Sequence, residues 1–248
     1  MCTLIVLHRP GHAWPMLLAA NRDEMLNRPW RPPGRHWLDR SNAVAGLDEL
    51  GGGSWFGLND DGVAAGIMNR RNALGPSVGK RSRGELVLEA LDHAEAKTAA
   101  EALAHIDPDA YRAFNLVVAD ADGAYWLRHT EETDRVEMLP VLPGLSMFTA
   151  YDCNDTASPR VRRYLPLLRA AHAPDPDRAD WSEWERLLAS RESDAAAEGA
   201  LNVVTDRGFG TVSSALLALP SRERYREKPR LRFAAGRPDQ VPFENVVL

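Results

Sequence analysis

Two apolar segments near the start of the chain limit the fold more than any other feature. Thr3 to His8 is aliphatic and β-branched, Trp14 to Ala20 is apolar almost throughout, and Pro10-Gly11 between them reads as a turn. Neither segment alternates polar with apolar residues, so each reads as a strand covered on both faces. Such a sheet needs further layers, and a chain of 248 residues with 44% hydrophobic positions is long and apolar enough to supply them without disulfides or a structural metal.

The rest of the chain supplies candidates for those layers. A Pro/Arg-rich segment, Asn27 to Arg35, fits neither period and reads as a loop. Ala43 to Leu47, Ser54 to Leu58 and Val63 to Met68 read as strands, separated by Gly51-Gly52-Gly53 and by Asn59 to Gly62 with its Asp-Gly hairpin signal. Ser82 and Glu85 form a capping-box pattern ahead of Val87, Leu91 and Ala94 at helical spacing, and a second helix, Thr98 to Ile106, ends before Asp107-Pro108. Strands follow at Phe114 to Ala119, Tyr125 to Arg128, Val136 to Leu139 and Ser146 to Ala150. Ser158 caps a helix with Pro159 at its first position, and Val161, Leu165, Leu168 and His172 line one face. Trp181 to Ser190 reads as a short helix, and 192–199 as a mobile surface segment or the tail of that helix. Leu201 to Val204, Gly210 to Leu219, Leu231 to Phe233 and Asn245 to Val247 complete the strands. This order is α+β, with antiparallel sheets flanked by helices in one domain over 1–248.

Charge narrows the class of partner. Thirty Lys and Arg against thirty-five Asp and Glu give a net charge of −5, which argues against a general nucleic-acid binder but leaves room for a local basic pocket. The apolar run Leu4 to Leu7 stops at His8-Arg9-Pro10, too short for a signal segment, and no run approaches the ~18 residues of a membrane span. A cytoplasmic protein is expected. Cys2 and Cys153 are the two cysteines; they cannot build a Cys-rich zinc site and suit a reducing compartment. The histidines show no H-E-x-x-H spacing, so no metal is expected.

Cys2 follows Met1 directly. Removal of Met1 would leave one residue carrying both a thiol and a free α-amine, and an amine titrating near ~7.7 to 8.0 can take the thiol proton at neutral pH. A thiol near ~8.5 then needs only a modest downward push from a nearby cation. The alternative is a small residue leading into a strand. Asn21-Arg22-Asp23-Glu24 ends the second apolar segment. With the turn at Pro10-Gly11, His8 faces His12 or Ala13 and Cys2 comes opposite positions 19 to 21. Arg22 would then favour the thiolate while Asp23 holds the α-amine; the alternative is a solvated ion-paired loop.

Two further stretches carry donors. Glycines before Gly53-Ser54-Trp55 form either an anion-binding nest or a bulged turn, and no Lys-Ser/Thr ending marks a P-loop. Met68-Asn69-Arg70-Arg71-Asn72 offers Asn69 as an oxyanion donor and Arg70 and Arg71 as a carboxylate clamp or an exposed basic turn.

Met1-Cys2, Asn21 to Glu24 followed by Arg28-Pro29, Trp37, Ala45-Gly46 with Asp48, Gly52 to Trp55 with Gly57, Asn69 with Arg71, Ser82 to Leu86, Phe114 to Leu116, Gly144 to Ser146 and Gly210 to Ser214 together resemble the NRDE family, also called the transport-and-Golgi-organisation family. That family is related to N-terminal-nucleophile hydrolases, so the resemblance implies a four-layer αββα sandwich with Cys2 at the mouth of its central sheets. In cysteine amidases of the choloylglycine type an arginine and an aspartate near the end of the second strand orient the nucleophile. Arg22 and Asp23 are the similar positions, adjacent here rather than separated. Two functions are implied. One is a hydrolase of amide, ester or thioester bonds using Cys2, Arg22, Asp23 and Asn69, with Asn21, Glu24, Gly53, Ser54, Trp55, Arg70 and Arg71 around a small-molecule substrate and no cofactor required. The other is a non-catalytic carrier, with haem or an acyl-coenzyme A held by Arg22, Arg70 and Arg71. No oligomeric state is implied.

Overall fold

The computed structural model describes residues 2–194 and 196–248. In chain order its strands are β1 (Thr3–His8), β2 (Met16–Met25), β3 (Trp30–Gly34), β4 (Ala43–Asp48), β5 (Phe56–Asn59), β6 (Ala64–Asn69), β7 (Phe114–Ala119), β8 (Ala124–His129), β9 (Glu137–Pro140), β10 (Gly144–Phe148), β11 (Phe209–Leu219), β12 (Arg230–Ala234) and β13 (Glu244–Asn245). The helices are α1 (Gly84–Leu91), α2 (Ala96–Ala104), α3 (Pro159–Ala170) and α4 (Ser182–Leu188). The chain divides into two compact units, Met1–Arg28 with Pro143–Val247, and Pro29–Leu142 with Leu248.

The first unit is a six-stranded antiparallel sheet in the order β10-β1-β2-β11-β12-β13. Alternation sends Ile5, Leu17, Ala19, Leu216 and Ala218 to one face, where Val161, Tyr164, Leu165 and Leu168 of α3 and Trp184, Leu187 and Leu188 of α4 pack on them. Each of the buried Leu, Ile and Val side chains among them contributes roughly 1.5–3 kcal/mol over exposure. Leu4, Val6, Leu18 and Ala20 on the opposite face are buried as well, as the unbroken apolar segments require. Ser158 caps α3 by accepting from Val161 N, with Pro159 at the first position.

The second unit is a seven-stranded antiparallel sheet in the order β3 to β9, with Leu86, Val87, Ala90 and Leu91 of α1 and Ala99, Ala100 and Leu103 of α2 packed on Ala43, Ala65, Ile67, Leu116 and Val118. Gly62 takes a positive φ in the β5–β6 hairpin, the position its Asp-Gly pair marks.

Several sequence expectations need correction. The first hairpin is looser than the Pro10-Gly11 turn implies: His8 pairs with Met16 and Thr3 with Asn21, because Arg9 N donates to Pro15 O (2.7 Å) and residues 9–15 form their own loop. Within Asn27 to Arg35, Trp30–Gly34 is an edge strand, its pairing interrupted between Arg31 and Gly34 where two prolines lack N–H donors. The capping box does not form. The helix starts at Gly84 with no side-chain cap, and Glu85 pairs instead with Arg81 (2.8 Å). His172 lies beyond α3, exposed and paired with Glu183 (2.5 Å). Ala197–Gly199 is a separate 3-10 turn, so 192–199 does not continue α4; Ala195 lies outside the described residues. Leu201 to Val204 is no strand beyond one bridge from Val204 to Gly210.

Candidate active site

Asn21 to Glu24 do not leave the sheet. β2 runs on to Met25 because β11 is long enough to pair with it throughout: Asn21 with Ser214, Arg22 with Ser213, Asp23 with Thr211 and Glu24 with Gly210. A bulge between Thr211 and Ser213 places Thr211 on the same face as Ser214. Strand alternation therefore turns Asn21 and Asp23 toward the helices, and Arg22 and Glu24 away from them.

On the helix side Asn21 and Asp23 are both held by named partners. Asn21 Nδ2 donates to Leu188 O (3.0 Å) and Leu201 O (2.9 Å), and its Oδ1 accepts from Ser214 Oγ (2.5 Å). Asp23 Oδ1 accepts from Thr211 Oγ1 (2.7 Å), and Oδ2 lies 2.9 Å from Arg160 Nη1 of α3. The same Nη1 donates to Thr3 Oγ1 (2.5 Å). Side-chain exposure in this ion pair is 3% for Arg160 and 0% for Asp23, so each charge depends on the other to offset its desolvation.

Cys2 sits one residue before Thr3, whose pairing with Asn21 brings Cys2 level with Arg22. It is half-buried, and its Sγ donates to the main-chain carbonyl of Asp23 at 3.9 Å. Burial pushes the thiol above its usual range and the Asp23 carboxylate adds to this, while Arg22 pulls the other way. The downward push from Arg22 is thus outweighed, and the thiol needs a base to lose its proton. Met1 lies outside the described residues. Cys153, the other free cysteine, is half-buried and its thiol is also raised by burial.

The remaining sequence candidates have other surroundings. Glu24 Oε1 accepts from Met25 N (2.8 Å), and its carboxylate pairs with Arg28. Gly53, Ser54, Trp55, Asn69, Arg70 and Arg71 belong to the second unit. A Cβ on Gly53 would lie 2.3 Å from the Gly84 carbonyl carbon, so close packing against the start of α1 requires glycine there. Ser54 Oγ donates to Phe56 O (3.1 Å), and Trp55 meets Trp30 edge-on at 5.7 Å. Asn69 ends β6, half-buried; Arg70 donates to Asn115 Oδ1 (2.8 Å), and Arg71 is exposed. Among the described residues no His, Cys, Asp and Glu cluster could hold a metal ion, and no helix is long and apolar enough to cross a membrane.

Sequence reasoning missed Arg160 and did not connect Thr211 with Asp23. Arg160 carried one signal, a cation in the first turn of a helix, where the macrodipole opposes it unless a specific anion is at hand.

Two antiparallel sheets, each with a helix pair on one face, match the fold class of N-terminal-nucleophile hydrolases. The chain superposes on a Caenorhabditis elegans ortholog of N-acylethanolamine-hydrolyzing acid amidase with a TM-score of 0.60 at 15% identity, over 92% of this chain and 98% of that one. A mutant of conjugated bile acid hydrolase from Clostridium perfringens gives a TM-score of 0.57 at 13% identity, over 100% and 97%. At these identities the likeness is one of fold. The family described as Transport and Golgi organisation 2 matches residues 1–223, and the chain belongs to it. Transport and Golgi organization protein 2 homologs from Bos taurus (33% identical) and Homo sapiens (31%) align over 54% of this chain and 51% of theirs, so the chain spans about half the length of the curated relatives it matches.

Proposed function

We propose that the protein hydrolyses an amide, ester or thioester bond of a small molecule through Cys2, made the first residue by removal of Met1. The observation that carries this reading is the Cys2 thiol against the Asp23 carbonyl at the head of β1, beside the buried Asp23–Arg160 pair. A fold shared with proteins named as an amidase and a hydrolase supports it.

The raised thiol makes the α-amine necessary. The amine takes the thiol proton, and the thiolate attacks the substrate carbonyl to form a tetrahedral oxyanion. The ammonium returns the proton to the departing amine, alcohol or thiol as the carbon–heteroatom bond breaks, leaving a thioester on Cys2. Water, deprotonated by the same amine, then releases the acid and restores the thiol. Arg22 lowers the cost of the thiolate.

Intact-mass measurement of the purified protein tests the first step: loss of one methionine is expected, and retained Met1 would sink the mechanism. Incubation with an activated acyl ester should add one acyl group, absent in Cys2→Ser. Saturable haem binding that survives Cys2→Ala, with no acylation of the parent protein, would favour the carrier instead.

A further inference from the structure

Resting on the reading of Cys2 as nucleophile, we propose that Arg160 is a positioning residue that holds the head of β1 in register and offsets part of the Asp23 charge that bears on the thiol. One nitrogen, Nη1, reaches two points that frame Cys2: the Thr3 hydroxyl at 2.5 Å, on the next residue of the chain, and Asp23 Oδ2 at 2.9 Å, on the residue whose carbonyl meets the sulfur at 3.9 Å. Thr211 fixes the other carboxylate oxygen at 2.7 Å. Asp23 thus contributes its main chain to the side of the thiol and its carboxylate to the helix side, and Arg160 sets that division from α3.

The chemistry makes the arginine more than a filler. An end-of-strand residue is the part of a sheet most prone to fray, and a nucleophile displaced by an ångström loses reactivity steeply. The planar guanidinium fixes the directions of the two N–H bonds on Nη1, whereas lysine carries a compact charge on a flexible stem and would reach the same two acceptors without fixing their angle. The charges acting on the thiol are Asp23, which disfavours the thiolate, and the chain's α-amino group and Arg22, which favour it; the two side chains stand on β2. Arg160 on α3 offsets part of the first of them.

The test measures the pH profile of Cys2 alkylation by iodoacetamide, read by intact mass on the folded protein, together with acylation by an activated ester. Arg160→Met should move the alkylation midpoint to higher pH, because Asp23 keeps its charge without a counterion. Arg160→Met combined with Asp23→Asn should bring it back to the parent value or below, although both variants melt earlier. A midpoint unchanged in Arg160→Met would overturn the proposal and leave Arg160 a purely stabilising group. Should Arg160→Met not fold, Arg160→Lys decides: it keeps the charge, so the midpoint stays, while acylation falls on the order of tenfold to a hundredfold through lost geometry. Parent-like acylation in Arg160→Lys would also overturn the proposal. If the parent protein accepts no acyl group at all, the nucleophile reading fails separately, and the alkylation profiles still decide the role of Arg160.

Discussion

Two Asn-Arg stretches of this chain, Asn21-Arg22 and Asn69-Arg70, begin alike and end differently. Asn21-Arg22 and Asn69-Arg70 each follow an apolar strand, yet the first pair continues the strand and the second ends it. The difference lies in the neighbour. β11 extends to Phe209 and pairs with β2 as far as Met25, whereas β7 begins at Phe114, opposite Asn69, and offers β6 nothing further to pair with. A polar residue at the end of an apolar run is therefore buried or half-exposed according to the length of a strand far away in sequence. With that burial goes the whole character of the side chains: Asn21 is fully enclosed and bonded to three other segments, while Asn69 is half-buried.

The sharpest way to break the comparison is to remove one charge from each stretch. Asp23→Ala leaves Arg160 buried without its main anion and should cost about 3–5 kcal/mol in urea unfolding. Arg70→Ala removes one hydrogen bond to Asn115 at a partly exposed site and should cost about 1 kcal/mol. Equal losses would mean the two stretches do not differ in burial as described. Next in size, Asn21→Ala strands the buried Leu188 carbonyl and leaves that of Leu201 with the Thr211 hydroxyl at 3.4 Å, and should destabilise by about 2–4 kcal/mol, against under about 1 kcal/mol for Asn69→Ala. The smallest effect concerns pH. Glu183 raises the exposed His172 above its usual value, so the stabilisation is fully present below ~6.5 and is lost as pH rises through the higher folded value. His172→Ala should lower the melting temperature slightly more at pH 5.5 than at pH 8, and a large difference would show that this exposed pair carries more than a surface contact should.

What the residues disclose in advance follows the range of the interactions. The β5–β6 hairpin and the Ser158-Pro159 start of α3 are set by neighbours in sequence and were legible there. The span of the first hairpin was not, because Pro10-Gly11 marks a turn but Trp14 N donating to His12 Nδ1 (2.9 Å) and Arg9 N donating to Pro15 O decide where it closes. β3 was hidden by its own prolines, tolerable because the strand is an edge. Counting along the hairpin brought Cys2 near the Asn21 to Glu24 stretch within a residue or so. The anchor of that stretch came from α3, and no spacing rule connects Arg160 to Asp23. The capping box that Ser82 and Glu85 signalled gave way to local partners: Glu85 N donates to the Ser82 carbonyl (3.3 Å), and the Glu85 carboxylate turns to Arg81.

The irregularity in β11 has one more effect. A strand is a two-state counter: each residue added flips which side the next one faces. Val212 is the uncounted step, and it gives β11 two reading frames, one from Ser213 onward that seats Ser214, Leu216 and Ala218 beneath the helices, and one before it that seats Thr211 there too. With regular counting the Thr211 hydroxyl would share the side of Ser213, and the carboxylate of Asp23 would lose the donor on Oδ1. The chain length between Asp23's partner and the packed core is in that sense fixed in parity, whatever side chain stands at 212.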